Sequence, residues 1–346
     1  MKSSNTLKDL GESKLIEIIE NLIFEKTNKK LIRDDAFFYS CMNKLSSDKT
    51  KEQELIFNSD MLVSTTDVPK EMNYYQIGRK AVLMNVSDII VKGAKPLGIF
   101  ISLGLPSDLK KEDFENLIIG IIDYCNKLNI DYIGGDINET KEIIINPSVF
   151  GMLEKSKIIK RKGMNMNDIL VANGKFGLTG VGFDIILKKK GSIDKFKKYK
   201  RSINSVLEPQ DLGIEGLILS KKGLATASID CSDGLSKSLK ELILSNPKYG
   251  FEIEFKSNLI DSEAFQYSKQ FDISLENLIF NGGEEFIHLF LVRPKDYNKA
   301  IKLVQAQGGN LFKIGKVISD PNIYFIKDDN KFILDKNGFE HFSNNS

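Results

Sequence analysis

Seven aspartates lie where a folded chain could gather carboxylates: Asp34, Asp35, Asp60, Asp88, Asp136, Asp230 and Asp233. Each falls at the end of an expected strand or beside a turn or helix end. Small residues stand next to most of them, namely Ala36, Ser59, Ser87, Gly135, Ser232 and Gly234. Such neighbours let an ion or a ligand come close to the backbone. Carboxylate oxygens are the hard donors that Mg²⁺ takes, and phosphoryl-transfer enzymes share that ion between carboxylates and substrate phosphates. The competing reading is that Asp and Ser at such places cap helices and form turns. For Ser232-Asp233-Gly234 alone, a strand-to-helix turn is sufficient, and both readings stay open position by position.

Convergence would have an electrostatic cost. Two unit charges ~5 Å apart repel by roughly 3 kcal/mol at an effective dielectric of ~20. A converging set therefore implies a bound divalent cation or raised carboxyl pKa values. A glycine-rich stretch, Gly174 to Gly182, offers a second phosphate-binding candidate, but its glycines are spaced GxxGxxGxG and not GxGxxG. No GxxxxGK[ST] loop and no H-R-D or D-F-G set occurs, which argues against P-loop and protein kinases.

The elements that must position these groups follow from periodicity. Leu15, Ile16, Ile18, Ile19, Leu22 and Ile23 predict an amphipathic N-terminal helix. Leu55–Phe57 and Met61–Ser64 read as strands flanking Asp60. Tyr75–Val91 reads as a helix ended by Gly93 and Pro96. Leu97–Leu105 predicts a strand and Lys110–Asn129 a helix. Asp131–Ile133 predicts a short strand entering Gly134-Gly135-Asp136, and Ile143–Leu153 a strand broken at Asn146-Pro147. Further on come strands Ile169–Ala172, Ala227–Asp230, Phe251–Phe255 and Phe286–Val292, with helices Leu212–Lys222 and Leu235–Leu244. A basic, polar stretch from Glu154 to Lys162 marks a boundary between two α+β units.

The 346 residues suit two domains, and 41% hydrophobic with 28% charged residues is an ordinary globular balance. A net charge of +2 argues against a polyanionic partner, so no nucleic acid is expected, and the basic run Lys188–Arg201 reads as a solvated face. Three dispersed cysteines form no disulfide framework, and two histidines exclude a His-rich zinc site. With no secretory signal and no apolar stretch long enough to span a bilayer, a cytoplasmic protein without membrane association is expected.

Read in order, several segments resemble motifs of one family of ATP-dependent enzymes. They are Leu10-Gly11-Glu12, Asp34-Asp35-Ala36, Ser59–Val63, Ile77–Ala81 through Asn85-Val86-Ser87-Asp88 and Gly93-Ala94-Lys95-Pro96, Gly134-Gly135-Asp136, Ile229–Leu235 and Gly282-Gly283-Glu284. That family includes thiamine-monophosphate kinase, aminoimidazole-ribonucleotide synthetase, selenophosphate synthetase and a hydrogenase-maturation protein. The ending Gly338-Phe339-Glu340-His341-Phe342 is similar to the thiamine-monophosphate kinase branch, and the chain lacks the cysteines that two sister branches use.

The resemblance implies an α+β, two-domain aminoimidazole-ribonucleotide synthetase-like fold. Residues 1–153 would form an N-terminal ATP- and magnesium-binding and dimerisation domain with a mixed sheet and helices. Residues 154–346 would form a C-terminal α/β sandwich-type domain that completes the active site. It implies direct in-line transfer from ATP to thiamine monophosphate in a homodimer, assisted by several Mg²⁺ ions. Carried over by position, Asp35, Ser59, Asp60, Asp88, Asp136, Asp230 and Asp233 would hold magnesium, with Asp233 and Asp60 the most costly to lose. Gly135, Asp136, Arg161 and Ser232 would contact ATP; Asp67, Glu284 and Phe339 would contact the thiamine phosphate. The chain departs from the family pattern at Arg33, at Asp67, at Asn167-Asp168 and across Glu285–His288, which concerns the substrate pocket more than the metal site. A sister enzyme with another phosphate or acid substrate, and a degenerate nucleotide-binding regulator, are the alternatives.

Overall fold

A buried helix holds the molecule together. In the computed structural model, which describes residues 12–28, 30, 34–41, 52–188 and 193–335, 14 of its 18 residues are buried. A helix buried on all sides must lie between layers, and this one lies between two sheets.

In the first half the order is α1 (Glu12–Thr27), β1 (Phe37–Cys41), β2 (Gln53–Asn58), β3 (Leu62–Val63) and the short α2 (Ser64–Asp67). The buried helix α3 (Tyr74–Val91), β4 (Lys95–Leu105), α4 (Lys111–Leu128), β5 (Asp131–Glu139) and β6 (Ile144–Glu154) follow. The strands form a mixed sheet in the order β1-β2-β6-β4-β5, with β3 also on β6; β4 and β5 run parallel and the other pairs antiparallel. Inward residues Ile56, Ile99, Ile101 and Val149 pack with Val82, Leu83, Val86 and Ile89 of α3. Burying each such side chain contributes about 1.5–3 kcal/mol.

The second half comprises β7 (Ile169–Ala172), α5 (Leu178–Phe183), α6 (Lys200–Leu207), α7 (Glu215–Lys222), β8 (Ala225–Cys231), α8 (Leu235–Ser245) and β9 (Gly250–Glu254). It continues through α9 (Ser262–Phe271), α10 (Leu275–Phe280), β10 (Ile287–Val292), α11 (Tyr297–Gln305), β11 (Phe312–Ile318), β12 (Ile323–Lys327) and β13 (Asn330–Ile333). Its sheet runs β13-β12-β9-β11-β7-β10-β8, with only β12–β9 parallel. Strand β10 is buried throughout: Leu289 and Leu291 pack with Leu235 and Leu239 of α8, while Phe290 and Val292 pack with Leu219 of α7 and Val304 of α11. A strand covered on both faces reads as continuous apolar sequence.

The architecture is the expected two-sheet α+β class. Several local expectations need correcting. The short strand expected at Asp131–Ile133 runs on to Glu139, through Gly134-Gly135-Asp136. Strand β6 is unbroken across Asn146-Pro147. Proline is tolerated there because β2 pairs with β6 only from Val149 and β3 only up to Ile145, which leaves a gap in the ladder at Pro147. The Pro147 carbonyl accepts from Ser59 Oγ at 2.8 Å instead. In the basic run, the described part is helical, and Arg201 pairs with Asp261 at 2.6 Å. Among the described residues no helix is long and apolar enough to cross a membrane.

The ends of α3 are specified locally. Asn73 caps it, accepting from the Gln76 amide at 2.9 Å while Gln76 Oε1 accepts from the Asn73 amide at 3.0 Å. Gly93 ends it at φ +87°, and a Cβ there would lie 2.1 Å from Ser220 Cβ on α7. Only glycine meets both conditions.

Candidate active site

Three carboxylates meet where α3 passes between the sheets. Asp35 precedes β1, Asp88 is on the last turns of α3, and Asp230 is near the end of β8. Each offers an oxygen within 4.8 Å of the others, and all three residues are buried. At that separation an ionised pair repels by roughly 3 kcal/mol at an effective dielectric of ~20.

The three carboxylates meet different partners. Asp35 Oδ1 accepts from Arg161 Nε at 2.7 Å, and its other oxygen is ion-paired with Lys92. Burial alone would raise the Asp35 pKa, but the charges of Arg161 and Lys92 outweigh it and hold the carboxyl below its ordinary value. Asp88 and Asp230 form no ion pair among the described residues, and Asp88 also meets the Asp60 side chain. Asn58 Nδ2 donates to Asp88 Oδ2 at 2.6 Å, and Ser87 Oγ lies 3.0 Å from Asp230 Oδ2. Burial, then the charges of Asp230, Asp60 and Asp35, push Asp88 well above the carboxylate range. Burial, then the charge of Asp35, pushes Asp230 up to about 7. Carboxyls raised in this way hold protons that a divalent cation would displace. An all-oxygen, multiply negative donor set fits Mg²⁺.

Asp60 lies just before β3. Its amide donates to nothing in the sheet but to Asn85 Oδ1 at 2.7 Å, and Asn85 Nδ2 returns a bond to Asp60 O at 2.9 Å. Burial raises its pKa. Asp60 also lines a cleft of about 680 Å³ between the two halves, together with Asp67, Lys80, Ser232, Asp233 and Glu284. Asp233 pairs with Lys237 at 2.9 Å. Lys80 donates to Asp67 O at 2.6 Å and to Glu284 Oε1 at 2.5 Å, while Asp67 Oδ2 accepts from the Val63 amide at 2.7 Å. Burial raises Glu284, and Lys80 partly offsets it.

The structure thus gathers Asp35, Asp88 and Asp230 in one cluster, and Asp60, Asp67, Ser232, Asp233 and Glu284 along one cleft. It does not bring every expected residue there. The Ser59 hydroxyl is engaged with Pro147 O at 2.8 Å and Ser148 Oγ at 3.0 Å on β6. Gly135 and Asp136 are exposed on edge strand β5, where Asp136 lies across from Ser102, itself paired with Asn146. Arg161, by contrast, is brought to the cluster, where its guanidinium bonds Asp35 and, at 3.2 Å, Glu241. Phe339 lies outside the described residues.

Sequence reasoning missed Lys80, Lys92, Asn58, Asn85 and His288. Lys92 is fully buried, 2.7 Å from Asp34 Oδ1 and 2.9 Å from Ser228 O. His288, also fully buried, places Nε2 3.1 Å from Ser87 Oγ, and burial lowers its pKa to about 3, so the ring is neutral. One available signal was the presence of polar residues inside a helix that is otherwise apolar.

Comparison with known proteins gives three kinds of match. Residues 33–153 match a family profile described as AIR synthase related protein, N-terminal domain. A thiamine-monophosphate kinase of Nitrosopumilus maritimus is 33% identical, over 97% of this chain and 100% of its own. One of Pyrococcus horikoshii is 31% identical, over 94% and 95%. A solved structure described as "AaThiL complexed with AMPPCP and TMP" superposes with a TM-score of 0.78 at 25% identity, covering 98% of this chain and 100% of that one. The thiamine monophosphate kinase structure from Aquifex aeolicus gives 0.74 at 25% identity, covering 93% and 99%.

Proposed function

Since the chain belongs to the thiamine-monophosphate kinase family, we propose that it transfers the γ-phosphoryl group of ATP to thiamine monophosphate, giving thiamine diphosphate and ADP. The observation that carries this reading is the placement of Asp60, Asp233 and Glu284 along one cleft beside the Asp35–Asp88–Asp230 cluster. Acidic groups for metal–phosphate chemistry and a carboxylate suited to a cationic ring stand within reach of one ligand.

The nucleophile is an oxygen of the substrate phosphate, ionised near neutral pH because its second pKa is ~6. A bond forms from that oxygen to the γ-phosphorus, and the bond to the bridging oxygen of ADP breaks. No strong general base is needed, so the neutral His288 is no obstacle. Asp35, Asp88, Asp230, Asp60 and Asp233 would hold Mg²⁺, which when bound supplies positive charge against the phosphate oxygens. Arg161, paired with Asp35, would turn its fork to a phosphate once the cluster is filled. Ser232 would meet ATP at the cleft, and Gly135 and Asp136 from β5. Glu284 and Phe339 would face the thiazolium and pyrimidine.

We also place the unit boundary at residues 153 and 154, the reaction in the cytoplasm, and the chain in a homodimer. Support for the dimer comes from the outward face of the first sheet. There Phe37, Phe57, Leu97, Phe100 and Met152 are 37–56% exposed, and register puts Phe37, Phe57 and Phe150 in one row. Large exposed apolar patches favour association, and a second copy of this chain is the proposed occupant. Light scattering on the purified protein should give twice the chain mass; the chain mass alone would remove the dimer.

The decisive assay couples ADP release to Mg²⁺-ATP with and without thiamine monophosphate and identifies the product by chromatography. Thiamine diphosphate that requires both Mg²⁺ and thiamine monophosphate is expected. ATP binding with no such product would overturn the substrate assignment.

A further inference from the structure

Lys80 occupies an unusual position for a lysine. Its side chain is 1% exposed, on a helix between two sheets, and its amine reaches across the cleft to the opposite half. Two of its three N–H donors are used, on Asp67 O at 2.6 Å and on Glu284 Oε1 at 2.5 Å. The second Glu284 oxygen, Oε2, is buried with no hydrogen-bond partner. A buried carboxylate oxygen without a donor is costly. The backbone that presents it is also strained: Glu284 has φ +57° and Phe286 φ +49°, in a region that non-glycine residues avoid. The Glu284 amide is tied to Ser232 O at 2.5 Å, next to Asp233.

We propose that Lys80 is a positioning residue for substrate specificity: it clamps Glu284 across the cleft so that one carboxylate oxygen is kept for a cationic or N–H-bearing group of the acceptor substrate. The proposal rests on the function proposed above, in which that acceptor is thiamine monophosphate, a cationic heteroaromatic with an amino group. Lys80 itself need not touch the ligand. Without its amine, burial would leave Glu284 protonated or displaced, and in either case the fixed negative charge in the cleft wall would be lost. The clamp also links α2, α3 and the Gly282–Phe286 turn, so it can exist only when both halves are folded together.

The test measures KM for thiamine monophosphate and for ATP, with kcat, in the full-length protein and in Lys80→Met, Lys80→Arg, Glu284→Gln and the Lys80→Met/Glu284→Gln double variant. Lys80→Met should raise the KM for thiamine monophosphate about tenfold or more while the KM for ATP stays within about twofold, and Lys80→Arg should recover part of the loss. The double variant should be no worse than the worse single one, because both remove the same presented charge. Equal effects on both KM values, or additive losses in the double variant, would overturn the clamp while leaving the kinase reading intact. If the wild type fails to bind thiamine monophosphate in calorimetry, the kinase reading fails instead. The clamp is then judged by the same double-mutant cycle in thermal unfolding, where coupling supports it and additivity removes it.

Discussion

The Lys92 ammonium lies 2.7 Å from Asp34 Oδ1, and the two side chains are 0% and 3% exposed. The same amine is paired with Asp35 and donates to Ser228 O at 2.9 Å, so one lysine ties the strand-entry segment of the first half to β8 of the second. Burial would lower its pKa, but the charges of Asp34 and Asp35 outweigh it and hold the amine charged.

Removing that amine leaves two buried carboxylates with Arg161 as their one remaining shared partner among the described residues. Lys92→Met is expected to destabilise the protein by about 3–5 kcal/mol. Urea unfolding of the metal-free protein measures this. A loss below about 1 kcal/mol would mean that Asp34 and Asp35 find other partners.

Asp230→Asn should move stability and activity in opposite directions. Taking one charge from the Asp35–Asp88–Asp230 cluster relieves repulsion, so magnesium-free stability should rise by roughly 1–3 kcal/mol. Activity should fall by more than about a hundredfold, beyond what losing an outer partner costs a metal site. Magnesium should raise the melting temperature of the wild type and do so less in the variant. Equal stabilisation of both by magnesium would place the ion elsewhere.

Glu285 supplies a pH dependence away from the cluster. Its Oε1 accepts from the Gly177 amide at 2.7 Å, and burial pushes its pKa up to about 7. The folded chain then holds a proton that the unfolded chain releases near its ordinary value of 4.5. The associated stability is fully present below that value and lost as pH rises through about 7. Glu285→Gln should therefore remove about 3 kcal/mol of the wild-type decline between pH 5 and 8. Parallel stability profiles for the two proteins would show that the carboxyl titrates normally.

Gly135 carries a steric requirement of its own. A Cβ there would lie 1.8 Å from Ile101 O, within the parallel β4–β5 pair. Gly135→Ala should loosen β5 alone, because an edge strand has one neighbour to lose, at a cost of about 1–3 kcal/mol. Asp136 would move with the strand, so affinity for ATP should fall while affinity for thiamine monophosphate holds. Hydrogen exchange across residues 131–139 reads the strand, and calorimetry reads the two ligands.

Much of the scaffold was legible because periodicity is a local signal. The helix expected over Tyr75–Val91 forms over Tyr74–Val91, and the strand Ile169–Ala172 has the expected bounds. Strand β6 looked broken because proline cannot donate to a ladder, yet the gap between β2 and β3 leaves no ladder there to donate to. The carboxylates were visible as residue types, but their convergence depends on how α3 seats between the sheets. Lys80 and Lys92 were passed over because lysine is rarely buried, and only the tertiary partners Glu284, Asp34 and Asp35 reverse that expectation.

Helix α3 is bonded to the second half at several points along its length: Arg79 to Pro209 O, Lys80 to Glu284, Ser87 to Asp230 and His288, and Lys92 just past its end to Ser228 O. A rod riveted along its length to the opposite layer cannot serve as a hinge. The two sheets then form one body, and admission of a ligand to the cleft falls to lining pieces outside those bonds. One is the short π-helix Asp184–Lys188. Opening of the cleft in such a molecule is a local movement against a fixed frame, not the closing of two jaws.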